Sequence, residues 1–343
     1  MKIKNIHIIT SLESGGAQKV LYDFLSYSKN NKNSIVYCLR GKAFYDDKLA
    51  SIGIRVKHLN KISNIFSFFY DLYSSKGYVK SWMYHSCILS LFSKLNFKRN
   101  IFWSIHHGCI DKKTDSFSTI LAANLAALLS YIIPKNVIFV SQHCMNTHIN
   151  YGFNPKNAIF IYNHITLPKL NVEQLNKNLV TFVGREHPNK NLDLFLEMSK
   201  KIDLSIYNMQ YCIVGKNTDK RNTDFNNQNY LFYGEVDKET LDNIYQKTKV
   251  YISTSHVESF GLTLIEALSH GCDIICPEQP VFKEVAENWA YYYTPNDINA
   301  LTDSLNKLLL SRQNKKDNIK LKNFLKRYSF EETTKKLIEL VEK

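Results

Sequence analysis

Glu258 and Glu266 stand eight positions apart with Ser259, Phe260 and Gly261 between them, a spacing suited to holding a phosphate flanked by sugars. The apolar run Val250-Tyr251-Ile252-Ser253-Thr254 before them has the pattern of a buried strand. Leu262, Ile265, Ala267 and Leu268 then recur at helical spacing, and Gly271 is a natural helix stop. A strand therefore feeds a short loop and the loop feeds a helix. The first N–H groups of a helix have no partners inside it, and its dipole adds positive potential, so a phosphate can seat there. Glu258 falls just before the helix and Glu266 about two turns along it. One carboxylate can accept from sugar hydroxyls near the loop, the other from a second set such as those of a ribose. Taken singly, each acid is a solvated charge; the strand, the turn and the helix together carry the functional reading.

The elements around this stretch repeat its logic. Leu179–Val183 reads as a strand ending in Gly184, Arg185 and, a few residues on, Lys190. A planar guanidinium and a mobile ammonium after one strand suit a leaving diphosphate, whose charge grows as a glycosidic bond breaks. Two further strands, at Tyr211–Val214 and Tyr230–Tyr233, end in Gly215 and Gly234, turns that could hold a base through backbone groups. Asp273–Pro277 is another strand, with short helices after it. In the first half, Ile3–Ile9 runs into Gly15-Gly16, glycines that let backbone approach a ligand closely, and then into a helix bearing Val20, Leu21, Phe24 and Leu25. Ser34–Leu39, Ile54–Leu59, Ile101–Ile105, Val137–Ser141 and Ala158–Asn163 read as further strands, the third of these ending in His106-His107-Gly108. Ligands gather at the carboxyl ends of parallel strands, which places either histidine well. Repeating β–α units in both halves point to an α/β fold of two doubly wound domains.

The Glu258–Glu266 stretch resembles the Glu-x7-Glu motif of family-four retaining glycosyltransferases, and the Gly184-Arg185 and Lys190-Asn191 segment resembles that family's Gly-Arg…Lys-Asn pattern. The resemblance is specific from Gly184 to Glu284 and loose in residues 40–100. It implies the GT-B architecture: an acceptor-side domain at 1–167, a nucleotide-sugar domain at 168–326, and a C-terminal helix at 327–343 crossing back to the first domain. It implies front-face attack, with Glu258, Arg185, Lys190 and one of His106 and His107 as the catalytic set; His106 is the preferred match. It also implies donor binding by Gly15, Gly16, Gly184, Phe260, Gly261, Leu262, Glu266, Gly215 and Gly234. This sequence has Asn163-His164 where the family usually has Asn-Gly, which leaves the role of that turn open. The implied donor is a nucleotide diphosphate-sugar, such as a UDP-linked hexose or N-acetylhexosamine, and the implied acceptor a polyprenyl-pyrophosphate-linked or growing bacterial surface glycan. No Asp-x-Asp motif occurs, so no obligatory metal or other cofactor is expected. Alternatives are a GT-B epimerase or phosphorylase, and a non-catalytic basic protein binding membrane or nucleic acid.

Charge is unevenly placed. Residues 1–165 hold 20 Lys and Arg against 7 Asp and Glu, and the remainder holds 24 of each, so the net +13 lies in the first half. Nucleic acid, an anionic membrane surface and a pyrophosphate lipid are all candidate partners; no recognisable nucleic-acid module is present, so nucleic acid is not expected. Between Ile62 and Phe97 aromatics alternate with basic residues: Phe66, Phe68, Phe69, Tyr70, Tyr73, Lys76, Lys80, Trp82, Lys94, Phe97, Lys98 and Arg99. Part of this region must be core, as aromatics at helical spacing usually are, and one face of it is expected on the inner leaflet of the cell membrane. Ile120–Ile133 is Ala- and Leu-rich and reads as a core helix ended by Pro134, too short for a membrane span. The N-terminus reads as a strand, not a signal peptide. Seven cysteines without a Cys-x-x-Cys pair fit reduced thiols. A cytoplasmic, peripherally membrane-bound enzyme is expected.

Overall fold

Short apolar runs punctuated by turn residues become parallel strands covered on both faces. The structure, a computed structural model, describes residues 5–27, 33–95, 100–112, 114–168, 177–225, 228–311 and 317–342. Ile3 and Lys4 of the first expected strand, Phe97, Lys98 and Arg99, and positions 169–176 of the polar stretch lie outside the described residues. The chain divides into two compact units, Met1–His164 with Glu331–Lys343, and Ile165–Phe330.

The first unit runs β1 (Asn5–Ile9), α1 (Gly16–Tyr27), β2 (Ser34–Cys38), α2 (Phe44–Ser51), β3 (Arg55–His58), α3 (Ile62–Ser74), β4 (Val79–Trp82), α4 (Tyr84–Leu89), β5 (Ile101–Ile105), α5 (Phe117–Leu129), β6 (Asn136–Phe139), α6 (Gln142–Tyr151) and β7 (Ala158–Phe160). The sheet order is β3-β2-β1-β4-β5-β6-β7, parallel throughout. The second unit runs β8 (Leu179–Val183), α7 (Leu192–Ser199), β9 (Gln210–Val214), β10 (Tyr230–Tyr233), α8 (Lys238–Lys247), β11 (Thr248–Ile252), α9 (Leu262–Ser269), β12 (Asp273–Pro277), α10 (Pro280–Ala286), β13 (Ala290–Tyr293), α11 (Ile298–Leu310) and α12 (Asn318–Lys326). Its parallel sheet is ordered β10-β9-β8-β11-β12-β13. In each unit the strand order reverses once, between β1 and β4 and between β8 and β11. Open α/β sheets bind ligands at the carboxyl ends of the strands that flank such a reversal.

The last helix, α13 (Phe330–Glu342), returns to the first unit. Its Leu337 and Val341 join Val20, Phe24 and Leu49 of α1 and α2 over Ile9, Trp82 and Ile138 of the sheet. The opposite sheet face carries α3 to α6: Tyr37 meets Phe68 at 4.9 Å, Trp103 Nε1 donates to Ser90 Oγ at 2.8 Å, and Phe139 lies 5.0 Å from the His148 ring.

Two expectations are revised here. Lys80 and Trp82 fall in the core part of the aromatic and basic region: they belong to the central strand β4, which is buried throughout. Lys80 Nζ sits 4.3 Å from the centre of the Trp82 ring and 4.8 Å from that of Phe24, and burial pulls its pKa far below the ordinary lysine value. A lysine in the middle of a strand hides the strand's apolar pattern, so periodicity missed it. The second correction concerns α5, which is not a core helix of the usual kind. It buries Ala122, Ala123, Ala126 and Ala127 and turns its larger apolar side chains outward.

Burial also holds His7 and His106 down to about 3 and His148 to about 4, from the ordinary 6.5. All three are neutral in the folded chain, whereas the unfolded chain takes up their protons as pH falls through 6.5. Stability contributed by neutral burial is therefore present above 6.5 and lost on acidification, at up to about 1.4 kcal/mol per pH unit for each histidine. The melting temperature should fall between pH 7 and pH 5, and His7→Asn should flatten that fall. A pH-independent melting temperature in this window would contradict the burial described.

Candidate functional site

The residues singled out in the second half converge on the loops that follow β8 and β11, on either side of the strand-order reversal. Gly184 follows β8, and Lys190 ends a short 3-10 turn, Pro188–Lys190, just before α7. Glu258 lies in the loop between β11 and α9. Lys190 Nζ donates to Glu258 Oε1, and Ser255 Oγ donates to the same oxygen at 3.1 Å. Neither side chain of the ion pair is more than a quarter exposed. Arg185, between Gly184 and Lys190 in the sequence, is exposed.

This loop is held from both sides. Thr254 Oγ1 donates to the carbonyls of Lys190 and Asn191 at 3.0 and 2.8 Å, and the His256 N–H donates to the Asn189 carbonyl at 2.8 Å. From the β12 side, Gln279 Nε2 donates to the carbonyls of Ser255 and His256, each at 3.1 Å. Five hydrogen bonds thus fix where Glu258 can point. Sequence reading missed Ser255, Thr254 and Gln279; the available signal was a polar run, Ser253 to His256, at the carboxyl end of a buried strand.

Gly261 starts α9 in the left-handed conformation, φ +87°, and has no side chain to occupy the free N–H groups of the first turn. A Cβ there would also sit 3.2 Å from the Phe282 ring. The Phe260 side chain is buried and meets Tyr328 edge-on at 5.5 Å, so this residue offers a ligand backbone rather than ring. Leu262 opens the helix. Glu266 is largely buried on α9, with its Oε1 3.8 Å from Lys238 Nζ, a neighbour on α8 that the sequence did not single out. The helix ends at His270, and Gly271 turns the chain away at φ +73°, as its position predicts.

Gly215 and Gly234 are packed more tightly than a simple strand-end turn requires. Gly215 has φ +143°, and a Cβ on it would fall 2.2 Å from the Gly184 carbonyl oxygen. A Cβ on Gly234 would meet the Asp219 carboxylate at 3.2 Å. The turn after β9 is therefore pressed against the turn that carries Arg185, and Gly215 sets the course of both.

In the first unit, Gly15 and Gly16 are exposed at the start of α1. The two histidines after β5 are in different settings. His107 Nε2 lies 3.2 Å from Asp115 Oδ1 and its Nδ1 3.2 Å from Tyr84 Oη, so both ring nitrogens are engaged by protein. His106 stacks on Trp82 at 5.5 Å and shares a 3.2 Å hydrogen bond with Ser104 Oγ through Nε2. Its Nδ1 is buried with no protein hydrogen bond, and the ring lines a small cavity with Ser104, Asn163, His164 and Thr334. His106 is thus the histidine with hydrogen-bonding capacity to spare. His164, in the turn where a glycine was expected, donates from Nε2 to Asp23 on α1 at 2.8 Å. Burial would raise the Asp23 pKa, but His164 and Lys19 outweigh it and lower it. Among the described residues no group of three or more His, Cys, Asp or Glu is placed to hold a metal ion.

Residues 166–326 match the family model described as Glycosyl transferases group 1. An O-antigen chain mannosyltransferase of Salmonella typhimurium, RfbU, is 26% identical over 210 residues, 57% of this chain and 56% of that protein. A Campylobacter jejuni alpha-1,4-N-acetyl-D-galactosaminyltransferase, named for an undecaprenol-linked glycan acceptor, is 23% identical over 76% of this chain and 75% of its own length. The chain spans about half the length of the curated relatives it matches first. Among solved structures, Anabaena HepE in complex with UDP and glucose superposes with a TM-score of 0.80 over 99% of both chains at 14% identity, which establishes the shared GT-B fold.

The clash at Gly215 generates a prediction. Gly215→Ala should destabilise the second unit by about 2–3 kcal/mol, because it adds backbone strain to a steric overlap. Urea denaturation followed by tyrosine and tryptophan fluorescence reads this; a variant as stable as the wild type would contradict the packing.

Proposed function

We propose, from the match of residues 166–326 to the family model Glycosyl transferases group 1, that this protein is a retaining glycosyltransferase. It moves a hexose or N-acetylhexosamine from a nucleoside diphosphate-sugar to a lipid-linked or growing bacterial surface glycan. The observation that carries this reading is the convergence of Lys190, Glu258 and Ser255 beside the uncapped head of α9.

The diphosphate is seated at the Phe260–Leu262 backbone, with Arg185 and Lys190 neutralising it as its charge grows. Glu258 accepts from hydroxyls of the transferred sugar, and Glu266 from those of the ribose. The acceptor oxygen bonds to the anomeric carbon on the side from which the diphosphate departs, and its proton passes to the departing phosphate oxygen. This needs stabilised charge more than a separate base, which fits a site of two cations and a helix head. His106, neutral throughout the physiological range, is an uncharged hydrogen-bonding group, and Gly15 and Gly16 leave room at the start of α1. Turnover is expected to need no metal. The relatives named for O-antigen and undecaprenol-linked products support a polyprenyl-pyrophosphate glycan acceptor at the inner face of the cell membrane, approached through the basic first unit.

Glu258→Ala and Arg185→Ala should each lower kcat by roughly 10²–10³-fold, about 3–4 kcal/mol of transition-state stabilisation. Near-normal turnover in both would refute the assignment. A thermal-shift panel of nucleoside diphosphate-sugars identifies the donor, since a ligand of the native state raises its stability. EDTA should leave turnover intact, and its loss would count against the metal-free reading.

A further inference from the structure

The outward face of α5 carries its large apolar side chains. Phe117, Leu121 and Leu128 follow one another at helical spacing on a single stripe, and the small alanines occupy the face toward the protein. Phe117 is 81% exposed, Leu128 67%, and Ile132 just beyond the helix 66%. Core helices show the reverse, large side chains inward and small or polar ones outward. The neighbouring α3 buries Phe68 and Leu72 but also turns large rings outward, with Phe66 73% and Tyr73 82% exposed. The two helices are linked through the 3-10 segment Ser90–Leu95, whose Phe92 ring lies 5.2 Å from Phe69 of α3, and through α4, which packs on both that segment and α5.

The charges around this surface have one sign. α5 contains no acid or base, and the only Asp, Glu, Lys, Arg or His in α3, Asp71, is buried and accepts from the Tyr37 hydroxyl at 2.6 Å. From Leu72 to Val172 the only acids are Asp111 and Asp115, and Asp115 faces inward onto His107. Exposed lysines bracket both helices: Lys61 and Lys76 for α3, Lys112 and Lys135 for α5. Apolar side chains between terminal lysines match a bilayer surface, with the rings and leucines among the acyl chains and the ammonium groups at anionic headgroups. A second copy of the chain would instead bring like charges together.

We propose that α5 and α3 form one surface that seats the first unit on an anionic lipid bilayer, with the α5 leucines inserted into its interface. This deepens the membrane reading above and assigns its principal contact to α5, outside the aromatic and basic region of residues 62–97. The test is co-sedimentation of the full chain with vesicles of phosphatidylethanolamine and phosphatidylglycerol, against vesicles of phosphatidylcholine. The wild type should bind the anionic vesicles, and Leu121→Glu with Leu128→Glu should weaken binding at least tenfold without lowering the melting temperature. Phe66→Ser with Tyr73→Ser, on the other helix, should weaken it independently. Wild-type binding that is absent, or unchanged in both variants, would overturn the proposal. So would a wild-type dimer in sedimentation velocity that dissociates in the variants without any lipid dependence. Vesicle binding without sugar transfer would sink the enzyme reading and leave this surface standing; transfer to a soluble acceptor without vesicle binding would do the opposite.

Discussion

The contact between the Lys190 ammonium and the Glu258 carboxylate is the constraint on which the second unit's site depends. Both groups are mostly withdrawn from water, and removing one partner of such a pair leaves an uncompensated charge at a cost of about 3–5 kcal/mol. The pair is therefore stable only while something of opposite sign stands beside each member. A diphosphate brings more negative charge than one carboxylate and can take over Lys190. Glu258 is then free to turn its acceptor oxygens to sugar hydroxyls, with Ser255 still holding one of them. On the proposed function, Lys190 and Glu258 are the two working groups, and the structure pairs them with each other.

The scaffold explains why that exchange can stay local. Strand order reverses between β8 and β11, and the loops after those two strands meet at the reversal, where open α/β sheets bind ligands. Thr254, the His256 N–H and Gln279 then tie the β11 loop to its neighbours on both sides, so ligand binding need reorient only side chains. Gly215, lying against the Gly184 carbonyl, fixes the turn on which Arg185 is carried. The same reversal recurs in the first unit between β1 and β4, beside Gly15 and Gly16.

Much of this was legible in the residues themselves. Continuous apolar strands such as Leu179–Val183 and Ile101–Ile105, with glycine turns after them, announce a parallel α/β fold, because strands buried on both faces carry few polar residues. The head of α9 was legible for the same reason, through Gly261 before it and Gly271 after it. What stayed hidden depends on tertiary context. The pairing of Lys190 with Glu258 spans 68 positions and has no local signature. β4 was obscured by Lys80, a lysine buried between Phe24 and Trp82, where the charged form is disfavoured. The orientation of α5 could not be read from an Ala- and Leu-rich run, since both of its faces are apolar and only packing shows that the alanines are inside. His106 and His107 look alike in sequence; Asp115 and Tyr84 engage one and leave the other with a free nitrogen.

The central claim is that Lys190 is held in reserve by Glu258 until a diphosphate arrives. Calorimetric titration of nucleoside diphosphates, UDP and GDP among them, into the wild type, Lys190→Ala and Glu258→Gln tests it most directly. For whichever diphosphate the wild type binds, Lys190→Ala should bind at least tenfold more weakly, and Glu258→Gln, with Lys190 released, as tightly or more tightly. Unchanged affinity in Lys190→Ala, or a loss in Glu258→Gln as large as that in Lys190→Ala, would contradict the account.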